Sequence, residues 1–349
     1  MVRAAGDADD LSQVRWSAIS PTVATTGEEA LLAQLHGLAG GAGPDLVIPP
    51  GDDAAGWLAP EGSMVLVTTD ALVEDIDFRR STQLPYEVGW KAYAVNASDL
   101  AAMGAWPQLV VVTLLLPADT PTVCVLALQQ GIRDAADQHH AQVVGGDLSG
   151  TPAGLAVSCT ALGTARPDRC LRRSCGRPGD HILVTGELGG AAAALERLEA
   201  GDSPERVPWS HRLLRPEARV RAGVALATAG VRCAIDCSDG MLLDTARLAA
   251  ASGCGAELWA DATPLAIGLE AIWGAEATQR ALAGGEDFEL IAAAPAEVAQ
   301  GLIAGAGWPS DLPSLRLVGH LRRDPGVILR TRRGGPILPF AGRGGFTHF

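Results

Sequence analysis

Acidic residues recur along this chain in one kind of setting, beside glycine, serine or threonine where an apolar run gives out. Asp52 and Asp53 follow Pro50-Gly51. Thr68, Thr69 and Asp70 follow the run Met64-Val-Leu-Val67, with Glu74, Asp75 and Asp77 just beyond. Asp99 sits among small residues, three positions after Asn96. Asp147 follows Gly145-Gly146, and Asp236, Ser238 and Asp239 follow Cys233-Ala-Ile235. Ligands of α/β proteins bind at the carboxyl ends of strands. Hard oxygen donors placed there suit Mg²⁺, which favours carboxylates together with phosphate oxygens. Each cluster taken alone also reads as a solvated acidic loop or as glycine-turn chemistry. Taken together, the acids would repel one another strongly unless cations stood between them. With several Mg²⁺ the same array would clamp a polyphosphate, as phosphoryl transfer requires.

Composition narrows the chemistry. The 349 residues are enough for two domains with real cores. A net charge of −13 argues against nucleic acid as a partner. Lys91 is the only lysine and lies in Trp-Lys-Ala, so there is no Gly-Lys-Ser/Thr phosphate loop. The His-Arg-Asp and Asp-Phe-Gly motifs of protein kinases are absent as well. The seven cysteines form no C-x-x-C pair, which favours buried thiols in a reducing cytoplasm over zinc or a disulfide framework. No leader pattern is evident, and the apolar run 109–116 is too short to span a bilayer. His36, His139, His140, His181, His211 and His320 lack metal-site spacing and read as surface or packing residues.

The elements that must position the acids follow from periodicity. Residues 1–25 read as a loose N-terminal segment. Thr26-Gly-Glu-Glu29 has the form of a capping box, with Leu31, Leu32 and Leu35 striped behind it. Strands are expected at 45–48, 64–67, 108–116, 143–144, 154–164, 181–185, 233–235 and 290–294, and helices at 85–106, 121–140 and 216–229. A helix from Met241 could hold an anion on its free N–H groups. Gly284-Gly-Glu-Asp-Phe-Glu-Leu290 reads as a glycine turn with acids entering a strand. The arginine- and proline-rich stretch 166–180 breaks the pattern and puts a boundary near residue 165, giving domains 26–165 and 166–349.

These motifs, in order, resemble the thiamine-monophosphate kinase family. The resemblance rests on Gly51-Asp-Asp-Ala-Ala55, Thr68-Thr-Asp-Ala-Leu-Val-Glu74, Asn96-Ala-Ser-Asp-Leu-Ala-Ala-Met-Gly104, Gly145-Gly-Asp147, Ile235-Asp-Cys-Ser-Asp-Gly240, the 284–290 motif and the His348-Phe349 ending. It implies a two-domain α/β (α+β) fold of the aminoimidazole-ribonucleotide synthetase superfamily, with an N-terminal sheet pairing across a homodimer. It implies ATP-dependent phosphorylation of thiamine monophosphate by direct in-line transfer. Asp52, Thr68, Thr69, Asp70, Asp99, Asp147, Asp236 and Asp239 would hold Mg²⁺, with Asp70 and Asp99 the catalytic pair. Gly146, Asp147, Arg173, Ser238 and Gln129 would meet ATP; the family's tyrosine falls near Gln129, so no ring stacks there. Glu286, Phe346 and Asp77 would meet the thiamine phosphate. Asp77 departs from the family, which has histidine at that place, and would repel a phosphate acceptor. A superfamily relative activating another small acceptor, or a nucleotide sensor without turnover, are the alternatives. The selenophosphate-synthetase branch would need an early cysteine, and the hydrogenase-maturation branch a C-terminal one; this sequence has no cysteine before Cys124 and ends in Phe349.

Overall fold

A computed structural model describes residues 10–38, 45–48, 54–339 and 345. Asp52 and Phe346 lie outside the described residues. The chain divides into two units: Met1–Glu61, Val67–Asn96 and Pro107–Gly163 form the first, and Gly62–Leu66, Ala97–Trp106 and Thr164–Phe349 the second.

A four-stranded sheet underlies the first unit. Its spatial order is Met64–Val73, Ala156–Ala165, Trp106–Leu116, Gln142–Gly150, and the last two strands run parallel. Apolar and β-branched residues alternate along Ala156–Ala165, so every second side chain is buried. Two helices, Pro85–Ala102 and Thr122–Asp137, pack on each other unusually closely. A Cβ on Gly89 would stand 1.9 Å from the Leu128 carbonyl oxygen, and one on Gly131 would stand 1.9 Å from that of Tyr86. Only glycine at both positions lets the two backbones meet. The Tyr86 hydroxyl then donates to Asp134 Oδ2 at 2.8 Å.

Three local expectations change. The helix expected over 85–106 stops at Ala102, because Gly104 takes a left-handed φ of 68° and Ala105 N–H turns back to the Leu100 carbonyl at 2.9 Å. Thr26 does not cap the helix that follows: it ends the short helix Val23–Thr26, whose cap is Thr22, and pairs its hydroxyl with Thr122 at 2.7 Å. The stretch expected to be loose carries a fixed point at Trp16. Its ring stacks on Phe78 with 6.3 Å between centroids, its Nε1–H donates to the Gln83 carbonyl at 2.8 Å, and the Arg80 guanidinium lies over it at 4.8 Å.

The second unit is built on a seven-stranded mixed sheet. Its order is Ile337–Leu338, Gly326–Arg330, Gly255–Trp259, Leu315–Arg322, His181–Thr185, Glu289–Ala294, Cys233–Cys237. Neighbours pair antiparallel except Gly326–Arg330 with Gly255–Trp259. Ile182, Val184, Ile235, Leu258, Leu321 and Leu329 share one core with Leu248 and Leu198 from the helices Met241–Ala251 and Gly190–Glu199. The expected pattern of strands and helices in two α/β units is thus present. All seven cysteines are free thiols, and none of the described helices is long and apolar enough to cross a membrane.

The glycine pair makes a direct prediction. Gly89→Ala and Gly131→Ala should each destabilise the protein by roughly 1–3 kcal/mol, as overpacking does. Both relieve or violate the same helix contact, so the double variant should cost less than the sum in urea unfolding.

Candidate functional site

The strand Met64–Val73 is longer than the apolar run that starts it, because Thr68 and Thr69 are themselves good strand formers. Thr68, Thr69 and Asp70 therefore lie within the strand rather than at its end. Alternation sends Thr68 and Asp70 to one face and Thr69 to the other. Thr69 Oγ1 donates to the Cys159 carbonyl at 3.1 Å and accepts from Thr160 Oγ1 at 2.9 Å. Asp70 stands beside Cys159, whose thiol is pushed up to about 12, first by burial and then by the Asp70 charge.

Asp147 is likewise mid-strand and exposed, level with Thr113 of the parallel neighbour. The expected glycine turn before it is instead strand, where Gly146 allows close approach: a Cβ there would stand 1.9 Å from the Val112 carbonyl oxygen. Gly146, Asp147 and Gln129 line one pocket together with Leu32, Leu35 and Val112. Gln129 is buried on the helix Thr122–Asp137. This pocket of the first unit thus collects a polar edge and an apolar floor.

Asp77 has a local task. Its Oδ2 accepts from Val73 N–H at 2.8 Å, closing a turn in which Asp75 takes a φ of 66°. Its carbonyl oxygen accepts from the ammonium of Lys91 at 2.8 Å, and Lys91 is only 1% exposed. One oxygen of the Asp77 carboxylate is thus used within the turn. Glu74 next door takes Arg80 at 2.7 Å and Leu155 N–H at 2.8 Å.

In the second unit, Asp236 ends up in the strand Cys233–Cys237, every residue of which is buried. Ser98 Oγ donates to Asp236 Oδ2 at 2.9 Å. Burial, then the negative charge of Asp99, pushes the Asp236 carboxyl up to about 7, while Ser98 and Arg173 pull the other way. Asp99, Asp236, Ser98 and Arg173 are thereby in one neighbourhood. Ser98 went unselected in the sequence; its only signal was its place directly before Asp99.

The loop before the helix Met241–Ala251 is held by a carboxylate of the helix itself. Asp244 Oδ2 accepts from Ser238, Asp239 and Gly240 N–H at 3.0, 2.9 and 3.1 Å. A carboxylate at a helix N-terminus satisfies orphan donors and the macrodipole together. Burial raises the Asp244 carboxyl, partly offset by those same bonds. Asp239 is paired with Arg247, which also bonds Asp244 at 2.8 Å.

The 284–290 motif lies against this loop. Glu286 N–H donates to the Ser238 carbonyl at 2.7 Å and Phe288 N–H to that of Cys237 at 2.9 Å. A Cβ on Gly345 would stand 2.6 Å from the Asp239 carbonyl oxygen, so the chain just before Phe346 passes the same place. Of the three acids in the motif, two serve the fold. Asp287 accepts from Gly189 N–H at 2.7 Å and Ala191 N–H at 3.4 Å, and burial pushes its carboxyl up to about 7. Glu289 is fully buried, accepts from Thr185 Oγ1 at 2.6 Å and takes Arg219 in a two-pronged pair at 2.9 and 2.7 Å. Glu286 is half-buried with a φ of 67°. A non-glycine residue held there costs on the order of 1–3 kcal/mol and marks a segment fixed by its surroundings.

Among the described residues no three His, Cys, Asp or Glu side chains stand together as a group able to hold a metal ion. Asp99 and Asp236 nevertheless make a pair of oxygen donors whose repulsion a divalent cation would relieve, and their chemistry fits Mg²⁺.

Comparison with known proteins bears on the whole chain. Residues 51–165 match the model of the AIR synthase related protein N-terminal domain, and residues 177–320 that of its C-terminal domain. The thiamine-monophosphate kinase of Bacillus subtilis strain 168 is 33% identical over 317 residues, 86% of this chain and 92% of that one. The crystal structure of thiamine-monophosphate kinase from Stenotrophomonas maltophilia K279a superposes with a TM-score of 0.76 at 34% identity, covering 87% of this chain and 95% of that chain. A structure described as AaThiL complexed with AMPPCP and TMP superposes with a TM-score of 0.72 at 28% identity, covering 93% and 97%.

The raised carboxyl of Asp236 has a sign that can be measured. Its folded value lies above the ordinary 3.8, so the folded protein binds the proton more tightly than the unfolded chain. Its contribution is therefore present at low pH and is lost as pH rises from about 4 to about 7. In the absence of divalent cations, Asp236→Asn should remove on the order of 2 kcal/mol of that loss. Urea unfolding at pH 5 and pH 8 measures it. Part of the slope should persist in the variant, because Asp287 titrates in the same window.

Proposed function

The chain belongs to the thiamine-monophosphate kinase family, and we infer that it transfers the γ-phosphoryl group of ATP to thiamine monophosphate, giving thiamine diphosphate and ADP. The observation that carries this reading is the match over 86% of this chain and 92% of the Bacillus subtilis relative. An oxygen of the acceptor phosphate forms the new P–O bond while the bond from the γ-phosphorus to the bridging oxygen breaks, and the electron pair leaves with ADP. The acceptor phosphate is already ionised, so no residue has to remove a proton. What the protein must supply is alignment and charge compensation.

Several residues fit those tasks. The pocket with Gly146, Asp147 and Gln129 would seat part of the nucleotide, and Arg173 and Ser238 would meet its phosphates. A guanidinium suits phosphate because its donors form a planar fork. Asp52, Thr68, Asp70, Asp99, Asp147 and Asp236 would hold Mg²⁺, which would neutralise the facing anions. Thr69 projects from the other face of the strand, with its hydroxyl bonded to Cys159 and Thr160. Asp239 would join them with Arg247 on one of its oxygens. Glu286 and Phe346 would meet the thiamine moiety. The catalytic unit would be a homodimer in the cytoplasm. Support for pairing comes from the sheet-edge strand Met64–Val73, where Val65, Val67 and Val73 are 42%, 64% and 36% exposed on one face.

A relative acting on a different acceptor was suggested by Asp77. The turn that Asp77 closes accounts for its presence without a change of substrate.

Asp70→Asn and Asp99→Asn should each lower kcat about 10²–10³-fold, the loss typical of removing a charge-stabilising group. Their circular dichroism should stay unchanged. ADP release with thiamine monophosphate, against a panel of other phosphorylated and carboxylated acceptors, reads both rate and acceptor. Wild-type rates from both variants would refute the assignment. Separately, Val67→Glu should halve the mass measured by sedimentation; an unchanged mass would place the interface elsewhere.

A further inference from the structure

The acids of the 284–290 motif are not equivalent, and the one between the two strained residues has no part in the reaction as written above. Glu286 and Phe288 take φ values of 67° and 49°, and Asp287 lies between them, 8% exposed. Left-handed backbone on both sides of one residue does not hold itself; something must fix the loop. Two backbone bonds stitch the loop to the Cys237 and Ser238 carbonyls. The side-chain anchor is Asp287. Both its oxygens reach the start of the helix Gly190–Glu199, on Gly189 and Ala191 N–H, 98 and 96 positions away in sequence. That helix has no capping side chain of its own: Gly189 stands at its N-cap with a φ of 84°, and a Cβ there would lie 2.6 Å from Ala281 Cβ. The cap is supplied from the loop, so loop and helix are fixed by the same carboxylate. Beyond Asp287 the loop becomes the strand Glu289–Ala294, clamped by Arg219 and Thr185.

We propose that Asp287 is a positioning residue, which holds the Glu286 carboxylate in place for the thiamine monophosphate site by capping the helix Gly190–Glu199. This rests on the reading of Glu286 as a substrate contact. Glu286 is set in a left-handed conformation with its own N–H already given to Ser238. The direction of its Cα–Cβ bond is set by the loop, which Asp287 holds together with those two backbone bonds.

The test is steady-state kinetics of four single variants and one double variant of the 349-residue chain, with both substrates varied. Glu286→Gln should raise KM for thiamine monophosphate and leave KM for ATP within about twofold. Asp287→Ala should raise the same KM about tenfold, again with little effect on KM for ATP. It should add less than about twofold when placed on Glu286→Gln, because the two act through one contact. Asp287→Asn should largely rescue, since Asn caps helices nearly as well as Asp. Leu198→Ala, in the buried face of the same helix, should lower thermal stability without moving either KM. If Asp287→Ala does not accumulate as folded protein, Asp287→Leu, which fills similar space but keeps no acceptor, is read in the same way. A shifted KM in Glu286→Gln with none in Asp287→Ala overturns the proposal alone. An equal shift in Leu198→Ala also overturns it, by showing that general loosening suffices. An unshifted KM in Glu286→Gln overturns the proposal together with the reading beneath it.

Discussion

Burying the carboxylate of Asp236 is the unfavourable step around which the second unit is arranged. A group 3% exposed, on a strand with no exposed residue, has lost nearly all its water. One hydroxyl, from Ser98, replaces it, and the nearest charge that matters is another negative one, Asp99. The backbone N–H groups that follow in the chain, those of Ser238, Asp239 and Gly240, are already taken by Asp244. What remains is a carboxyl held near neutrality, ready to gain either a proton or a cation. A site with its charges fixed in advance needs little rearrangement when a charged substrate arrives, and that is where enzymes of phosphoryl transfer gain most of their rate.

The same economy recurs in three acidic motifs of the described residues, where some of the acids complete the fold. Asp244 ties down the loop before its helix, and Asp239 in that loop pairs with Arg247. Asp287 caps another helix and Glu289 neutralises a buried arginine, with Glu286 between the motif's glycines and these two. Glu74 and Asp77 organise the turn that follows the strand bearing Asp70. A stretch rich in acids is therefore a poor count of ligands. These acids share what they accept: backbone N–H groups, or an arginine in a pair.

This division explains which parts of the protein could be read from its sequence. Regular elements were legible because their apolar periodicity survives in one dimension, as in 181–185 and 233–237. Their ends were less so. Thr68-Thr-Asp70 looked like the close of a strand, yet threonine continues one as readily as valine, and the pleat then turned Thr69 away from its neighbours. Gly145-Gly146 looked like a turn, whereas the missing side chains allow contact with Val112 across the sheet. Acids at the right places were found by type and spacing. Partners were not: Arg219 lies 70 positions from Glu289 and Gly189 lies 98 from Asp287, and no local pattern encodes such pairs.

The single lysine closes the electrostatic argument. Phosphate-binding folds of the P-loop kind use a lysine ammonium as a point charge on the transferred group. Here the only ammonium is 1% exposed and is bonded to the Asp77 carbonyl inside the first unit. Its charge stabilises a turn. Of the other cationic side chains, Arg219 and Arg212 are committed to Glu289 and Glu187, and Arg247 to Asp239 and Asp244. Arg173, whose charge already reaches Asp236, is the arginine of this neighbourhood set toward the acids of the proposed site. A triphosphate facing a second phosphate carries more negative charge than one guanidinium offsets, and divalent cations entering with the nucleotide would supply positive charge that oxygen donors can hold.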